Sequence, residues 1–136
     1  MGILSGARKG VYPLTEHDIQ AKVMLELSKH GKVFRTNAGE YYQGEVIWSR
    51  EYRQNVLVNL RRIKGLPKGF SDLMVVTPGG HVAFVETKTP VGRPTKEQIQ
   101  FIENMRKLGC AAGIARSPED ALKIITMEVE DHGIRD

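Results

Sequence analysis

The sequence predicts one α/β domain, on three observations. At 136 residues the chain is long enough to build one core and too short for two ordinary ones. Hydrophobic residues make up 40% and charged residues 26%, which suits a folding globular chain and excludes a disordered or fibrous one. Apolar positions recur at helical and strand spacings in the order helix, β-meander, helix, strand, helix.

The first helix is expected from about Thr15 to Lys29, with Thr15 as N-cap, Asp18 as its reciprocal partner and Ile19, Val23 and Leu27 as the apolar stripe. Gly31 ends it. Val33 to Arg35 reads as a short strand running into an Asn37-Ala38-Gly39 turn. Glu45 to Trp48 and Val56 to Leu60 read as further strands with an irregular piece between them. Asp72 to Val76 and His81 to Lys88 flank Thr77-Pro78-Gly79-Gly80, whose proline and glycines supply the φ values of a tight connection, so the pair reads as a hairpin. Pro94-Thr95 opens a second helix to about Leu108, with Ile99, Ile102 and Met105 inward and Gly109 closing it. Cys110 to Ala115 is a small apolar run suited to a buried strand, and Ser117-Pro118-Glu119-Asp120 caps a last helix to about Ile125. No internal repeat, low-complexity tract or linker interrupts this order.

No apolar run approaches the roughly 20 residues of a membrane span, and residues 1–10 lack the apolar stretch of a secretory signal, so a cytoplasmic location without a membrane partner is expected. The single cysteine, Cys110, forms no internal disulfide, and the four histidines have no cysteine partners at zinc-site spacing. The formal net charge of +4 suggests a polyanionic partner. It is concentrated between Arg50 and Lys68, where Arg50, Arg53, Arg61, Arg62, Lys64 and Lys68 face the single acid Glu51. That segment suits phosphate contacts or, alternatively, is a solvated loop. Tyr41, Tyr42, Trp48 and Tyr52 beside it would stack on unpaired bases, or form core or a subunit interface.

Chemistry concentrates in the hairpin. If its turn is centred on Gly79, Asp72 and Glu86 oppose one another on one face with Cβ atoms roughly 4.5 to 5.5 Å apart. Lys88 shares that face by alternation, while Thr87 points the other way and offers its backbone carbonyl. Opposed carboxylates require a cation: Lys88 alone in a surface salt bridge, or a Mg²⁺ ion, which favours carboxylate and carbonyl oxygens together with water and a substrate phosphate. A two-residue turn would instead set Asp72 against Val85 and favour the salt bridge.

Gly65-Leu66-Pro67-Lys68-Gly69-Phe70-Ser71-Asp72-Leu73, Phe84-Val85-Glu86-Thr87-Lys88 and Gly92-Arg93-Pro94-Thr95-Lys96-Glu97-Gln98 together resemble the virus-type replication-repair nuclease module, VRR-NUC, a branch of the PD-(D/E)XK nuclease superfamily. The likeness runs from about Thr15 to Ile125, within a chain expected to be one domain over 1–136. It implies a PD-(D/E)XK (restriction-endonuclease-like) core, a central mixed β-sheet flanked by helices, and a Mg²⁺- or Mn²⁺-dependent phosphodiesterase acting on DNA. By the resemblance Asp72 and Glu86 are metal ligands, joined by the Thr87 carbonyl, and Lys88 is the catalytic lysine. Gln98 supports the lysine or a substrate phosphate, where the residues alone would read an exposed helix amide, and Glu16 completes the site, through a water or directly, or is a first-turn acid that only stabilises the helix dipole. Arg93 joins the basic segment as a DNA contact. Ser71 stands where the superfamily name has proline. Likeness to the small stand-alone members implies a phage or bacterial homodimer that resolves Holliday junctions, since cutting two strands symmetrically needs two sites related by a two-fold axis. The Tyr41 to Tyr52 stretch is the expected dimer contact. Flap, single-strand or restriction-like cleavage, and a DNA-binding module without catalysis, are the alternatives.

Overall fold

The structure is a computed structural model that describes residues 14–38 and 40–127. Gly39 of the expected turn, and His132, lie outside the described residues. The elements in order are α1 (Glu16–Leu27), β1 (Lys32–Arg35), β2 (Glu40–Ser49), β3 (Gln54–Lys64), β4 (Leu73–Thr77), β5 (His81–Thr87), α2 (Lys96–Lys107), β6 (Ala111–Ala115) and α3 (Pro118–Ile125).

Four strands form one sheet in the order β1-β4-β5-β6. β1 and β5 each run antiparallel to β4, whereas β6 is parallel to β5, so the sheet is mixed as expected. The parallel step follows from the connection: a parallel neighbour needs a crossover of a dozen or more residues, and α2 supplies it. Alternation along β4 and β5 then sorts the core into two layers. Leu73, Val75, Ala83 and Val85 pack against α1 and α3 through Ile19, Val23, Leu27, Ala121 and Ile124. On the other face Phe84 and Ala112 meet Ile102 of α2, with Phe70 and Phe101 packed against them. The helices are thus held on both faces of the sheet, and the site lies where β4 starts and β5 ends.

The helices start where their caps place them. Thr15 and Asp18 bond each other's backbone at the head of α1, and Thr95 and Gln98 do the same for α2. Ser117 caps α3 through Asp120 N–H at 3.1 Å. One inward assignment fails: Ile99 is 43% exposed, because α2 meets the sheet through Ile102 with Phe101 and Met105, and Ile99 lies at the edge of that face.

The expected irregular piece between β2 and β3 is also corrected. These strands are longer than their apolar runs, at 10 and 11 residues, and pair with each other as a separate two-stranded ribbon that turns at Arg50–Arg53. Polar residues such as Gln43, Asn55 and Arg61 are carried in the ladder by backbone pairing, which no side-chain pattern records. Tyr41, Tyr42 and Trp48 therefore stand on a strand, and only Tyr52 is in the turn.

Candidate active site

The hairpin between β4 and β5 has an odd loop. Thr77 pairs with His81, leaving Pro78, Gly79 and Gly80 to turn the chain, with φ of +88° and +74° at the two glycines. Gly79 is the centre. The register continues from Leu73 opposite Val85, so the next step outward sets Asp72 against Glu86, and the two-residue turn is ruled out. Asp72 N–H donates to Glu86 Oε1 at 3.1 Å across this step.

Neighbouring loops fix the approach of Asp72. Thr36, just past β1, donates its N–H to the Asp72 carbonyl at 3.0 Å, and its hydroxyl donates to the Ser71 carbonyl. Ser71 is buried and its own hydroxyl donates to the Leu73 carbonyl at 2.9 Å. The serine thus constrains by hydrogen bonding a turn for which proline would fix φ. Gly69 sits at φ +92° against α2, where a Cβ would lie 2.5 Å from the Glu97 carbonyl oxygen.

Glu86 is the most enclosed charge of the site, at 1% exposure. Burial first, and then the Asp72 carboxylate, raise its pKa from 4.5 to about 8, with Lys88 offsetting part of the rise. Gln98 Nε2 donates to Glu86 Oε2 at 3.0 Å. The Lys88 ammonium lies 3.8 Å from Glu86 Oε2 and also 3.8 Å from Glu16 Oε1. Glu16, from the first turn of α1, completes a group in which one oxygen each of Glu16, Asp72 and Glu86 lies within 4.8 Å of the others.

This donor set fits a hard divalent cation. It is all oxygen, and two of its carboxylates are close enough that Asp72 adds to burial in raising the Glu86 pKa, with Lys88 offsetting only part of the rise. Oxygens bound to one Mg²⁺ lie at most roughly 4.2 Å apart, comparable with the limit of 4.8 Å within which these three oxygens fall. The side chain of Glu16 is half-exposed and would have room to adjust to such an ion.

The VRR-NUC domain family model matches residues 14–119. The chain belongs to the VRR-NUC family. It is therefore a nuclease-type domain of the PD-(D/E)XK superfamily, and DNA is its implied ligand. A solved structure described as a VRR_NUC domain is similar to it at 22% identity and a TM-score of 0.48, covering 84% of this chain and 98% of that one. No curated protein matches.

In this VRR-NUC domain the fold brings together Glu16, Asp72, Glu86, Lys88 and Gln98 and leaves the basic residues dispersed. Arg50 and Arg53 are at the ribbon turn, and Arg61, Arg62 and Lys64 are on β3. At about 3.3 Å per residue the ribbon extends roughly 30 Å, so the expected segment is neither a loop nor one compact patch. Arg61 donates to Gln43 Oε1 at 2.5 Å, and Lys68 lies 3.8 Å from Glu97. A cleft of about 870 Å³ runs along residues Arg62 to Lys68 at the foot of the ribbon. Arg93 is exposed in the loop after Lys88.

Three residues at the site escape sequence reasoning. The Thr87 side chain bonds Asp72, Gln20 bonds Thr87, and Arg116 donates to the carbonyls of Thr89 and Gly92, fixing the loop that follows Lys88. Only the position of Gln20, one helical turn after Glu16, carried a signal. Among the described residues no helix is long and apolar enough to cross a membrane.

Proposed function

We propose that this chain, acting as one domain, is a structure-selective, metal-dependent DNA endonuclease that cuts Holliday junctions as a homodimer in a bacterial or phage-infected cell. The observation that carries the reading is the convergence of Glu16, Asp72 and Glu86 beside Lys88. Asp72 and Glu86 would hold Mg²⁺ or Mn²⁺, with the Thr87 carbonyl and Glu16 as further oxygen donors. Such an ion supplies Lewis-acid stabilisation of the phosphate and a better water nucleophile at neutral pH. Lys88 contributes a fixed positive charge where negative charge builds on the phosphate oxygens during displacement. Gln98 holds Glu86 by one oxygen, so that the carboxylate keeps a single orientation. Arg93 and the basic residues Arg50, Arg53, Arg61, Arg62, Lys64 and Lys68 bind DNA phosphates along the ribbon and at its foot.

The ribbon favours assembly. Directly paired residues share a face, so Tyr42, Val46, Trp48 and Leu57 lie together, and Leu60 covers Gly44 between them. All five apolar side chains are at least half exposed. A two-stranded ribbon alone is marginal in water, and a second copy laid on this face would cover the patch and present two sites to one junction.

Labelled four-way junctions, flaps, single strands and linear duplexes incubated with Mg²⁺, Mn²⁺ or EDTA test the activity, with sedimentation of the same sample. Paired cuts in the junction by a dimer are expected. Cleavage of flaps or single strands alone would reassign the substrate, and binding without cleavage in any metal would make this a non-catalytic module.

A further inference from the structure

Thr87 separates Glu86 from Lys88, so its side chain leaves the opposite face of β5, towards α1. It is fully buried. Its hydroxyl donates to Asp72 Oδ2 at 2.7 Å, and its backbone N–H donates to the same oxygen at 3.1 Å. With its one proton committed to Asp72, the hydroxyl accepts from Gln20 Nε2 at 3.4 Å. Gln20 lies one turn along α1 from Glu16. One short relay thus joins the helix that bears Glu16, the strand that bears Glu86 and Lys88, and the carboxylate of Asp72.

We infer that Thr87 and Gln20 are positioning residues of the metal site, engaging Asp72 Oδ2 so that Oδ1 is the oxygen left to the cation. The inference rests on the proposed metal-binding role of Asp72. Two donors on one carboxylate oxygen fix the rotation of the group about its last bond, and ligands held this way bind metal more tightly than freely rotating ones. A buried hydroxyl has no water to take over if a partner is removed, so the relay is sensitive to loss of a single oxygen. Thr87→Val deletes that oxygen and keeps the shape, whereas Thr87→Ser keeps the oxygen and deletes a methyl.

Calorimetric titration of Mn²⁺ into the full chain without DNA, with thermal unfolding in EDTA as the control for folding, separates these roles. Thr87→Val is expected to weaken Mn²⁺ binding about 10- to 100-fold, with the Mg²⁺ concentration for half-maximal cleavage rising in parallel, and Thr87→Ser to stay within about threefold of the parent. Gln20→Leu should weaken Mn²⁺ binding less than Thr87→Val, because it acts through the hydroxyl. Parental Mn²⁺ affinity in Thr87→Val, or equal losses in the valine and serine variants, would overturn the inference while leaving the metal site intact. If Thr87→Val does not fold, parental affinity in Gln20→Leu overturns it instead. A parent chain that takes up no Mn²⁺ removes the metal reading, and the inference falls with it.

Discussion

Gln98 uses both ends of its side-chain amide: Nε2 donates to Glu86 Oε2 at 3.0 Å while Oε1 accepts the Thr95 N–H at 2.8 Å. The start of α2 and the orientation of the buried acid are therefore set by the same group. Thr95→Ala removes only its share of the cap, and should cost about 1 kcal/mol of stability with cleavage nearly unchanged. Gln98→Ala should lose a similar amount of stability and in addition about 10- to 100-fold of activity. Chemical denaturation and initial cleavage rates on both variants measure the split; equal activity in the two would reduce Gln98 to a helix cap.

Glu86 makes the metal-free protein sensitive to alkali. Its folded pKa of about 8 lies above 4.5, so the folded state keeps a proton that the unfolded chain has released. Stability from this group is complete below about pH 4.5 and is lost as pH rises through 8. In EDTA the melting temperature should fall across that window. Glu86→Gln should flatten the fall and exceed the parent at pH 8, and Mg²⁺ should stabilise only the parent there, since it binds the ionised form.

Removal of Lys88 should separate chemistry from metal uptake. Its ammonium lies 3.8 Å from both Glu16 and Glu86, where it competes with a divalent ion for their charge. Lys88→Ala is expected to cut at least about 10²-fold more slowly while binding Mn²⁺ as well as the parent or better. Asp72→Asn should abolish cleavage and weaken Mn²⁺ uptake while DNA binding persists. Loss of Mn²⁺ binding in Lys88→Ala would assign the lysine a structural role.

Arg61 and Arg62 follow one another on β3 and so project from opposite faces of the ribbon. If both meet phosphate, neutralising the pair makes the slope of log affinity against log salt shallower by about 0.9 per contact on duplex DNA. Single substitutions show whether one face or both touch DNA. An unchanged slope in the double variant places the DNA elsewhere.

The sole tryptophan, Trp48, is on the apolar face of the ribbon and reports its burial directly. Trp48 emission should shift to the blue as concentration is raised through the dimer transition. Leu57→Lys, opposite Val46 in the ladder, should hold the protein monomeric and suppress paired cleavage of junctions. A strictly monomeric parent at micromolar concentration that still makes paired cuts would dismiss the ribbon as the dimer contact.

The caps at Thr15, Pro94-Thr95 and Ser117 and the stripe Ile19, Val23 and Leu27 are local codes, and the sequence alone located three helices from them. The Pro78-Gly79-Gly80 run likewise marked the hairpin and left two registers open, and the observed Thr77–His81 pairing decided for the one that opposes Asp72 and Glu86. Other relationships were decided only by the tertiary structure. Thr87 reaches Asp72, Gln20 reaches Thr87 and Arg116 reaches the loop after Lys88 across 15, 67 and more than 20 residues of chain respectively, distances over which side-chain periodicity carries no information. The ribbon was obscured for a related reason. Most of its length is exposed on both faces, so no burial pattern marks its strands, and the backbone ladder that extends them to Glu40 and Lys64 is indifferent to side chains.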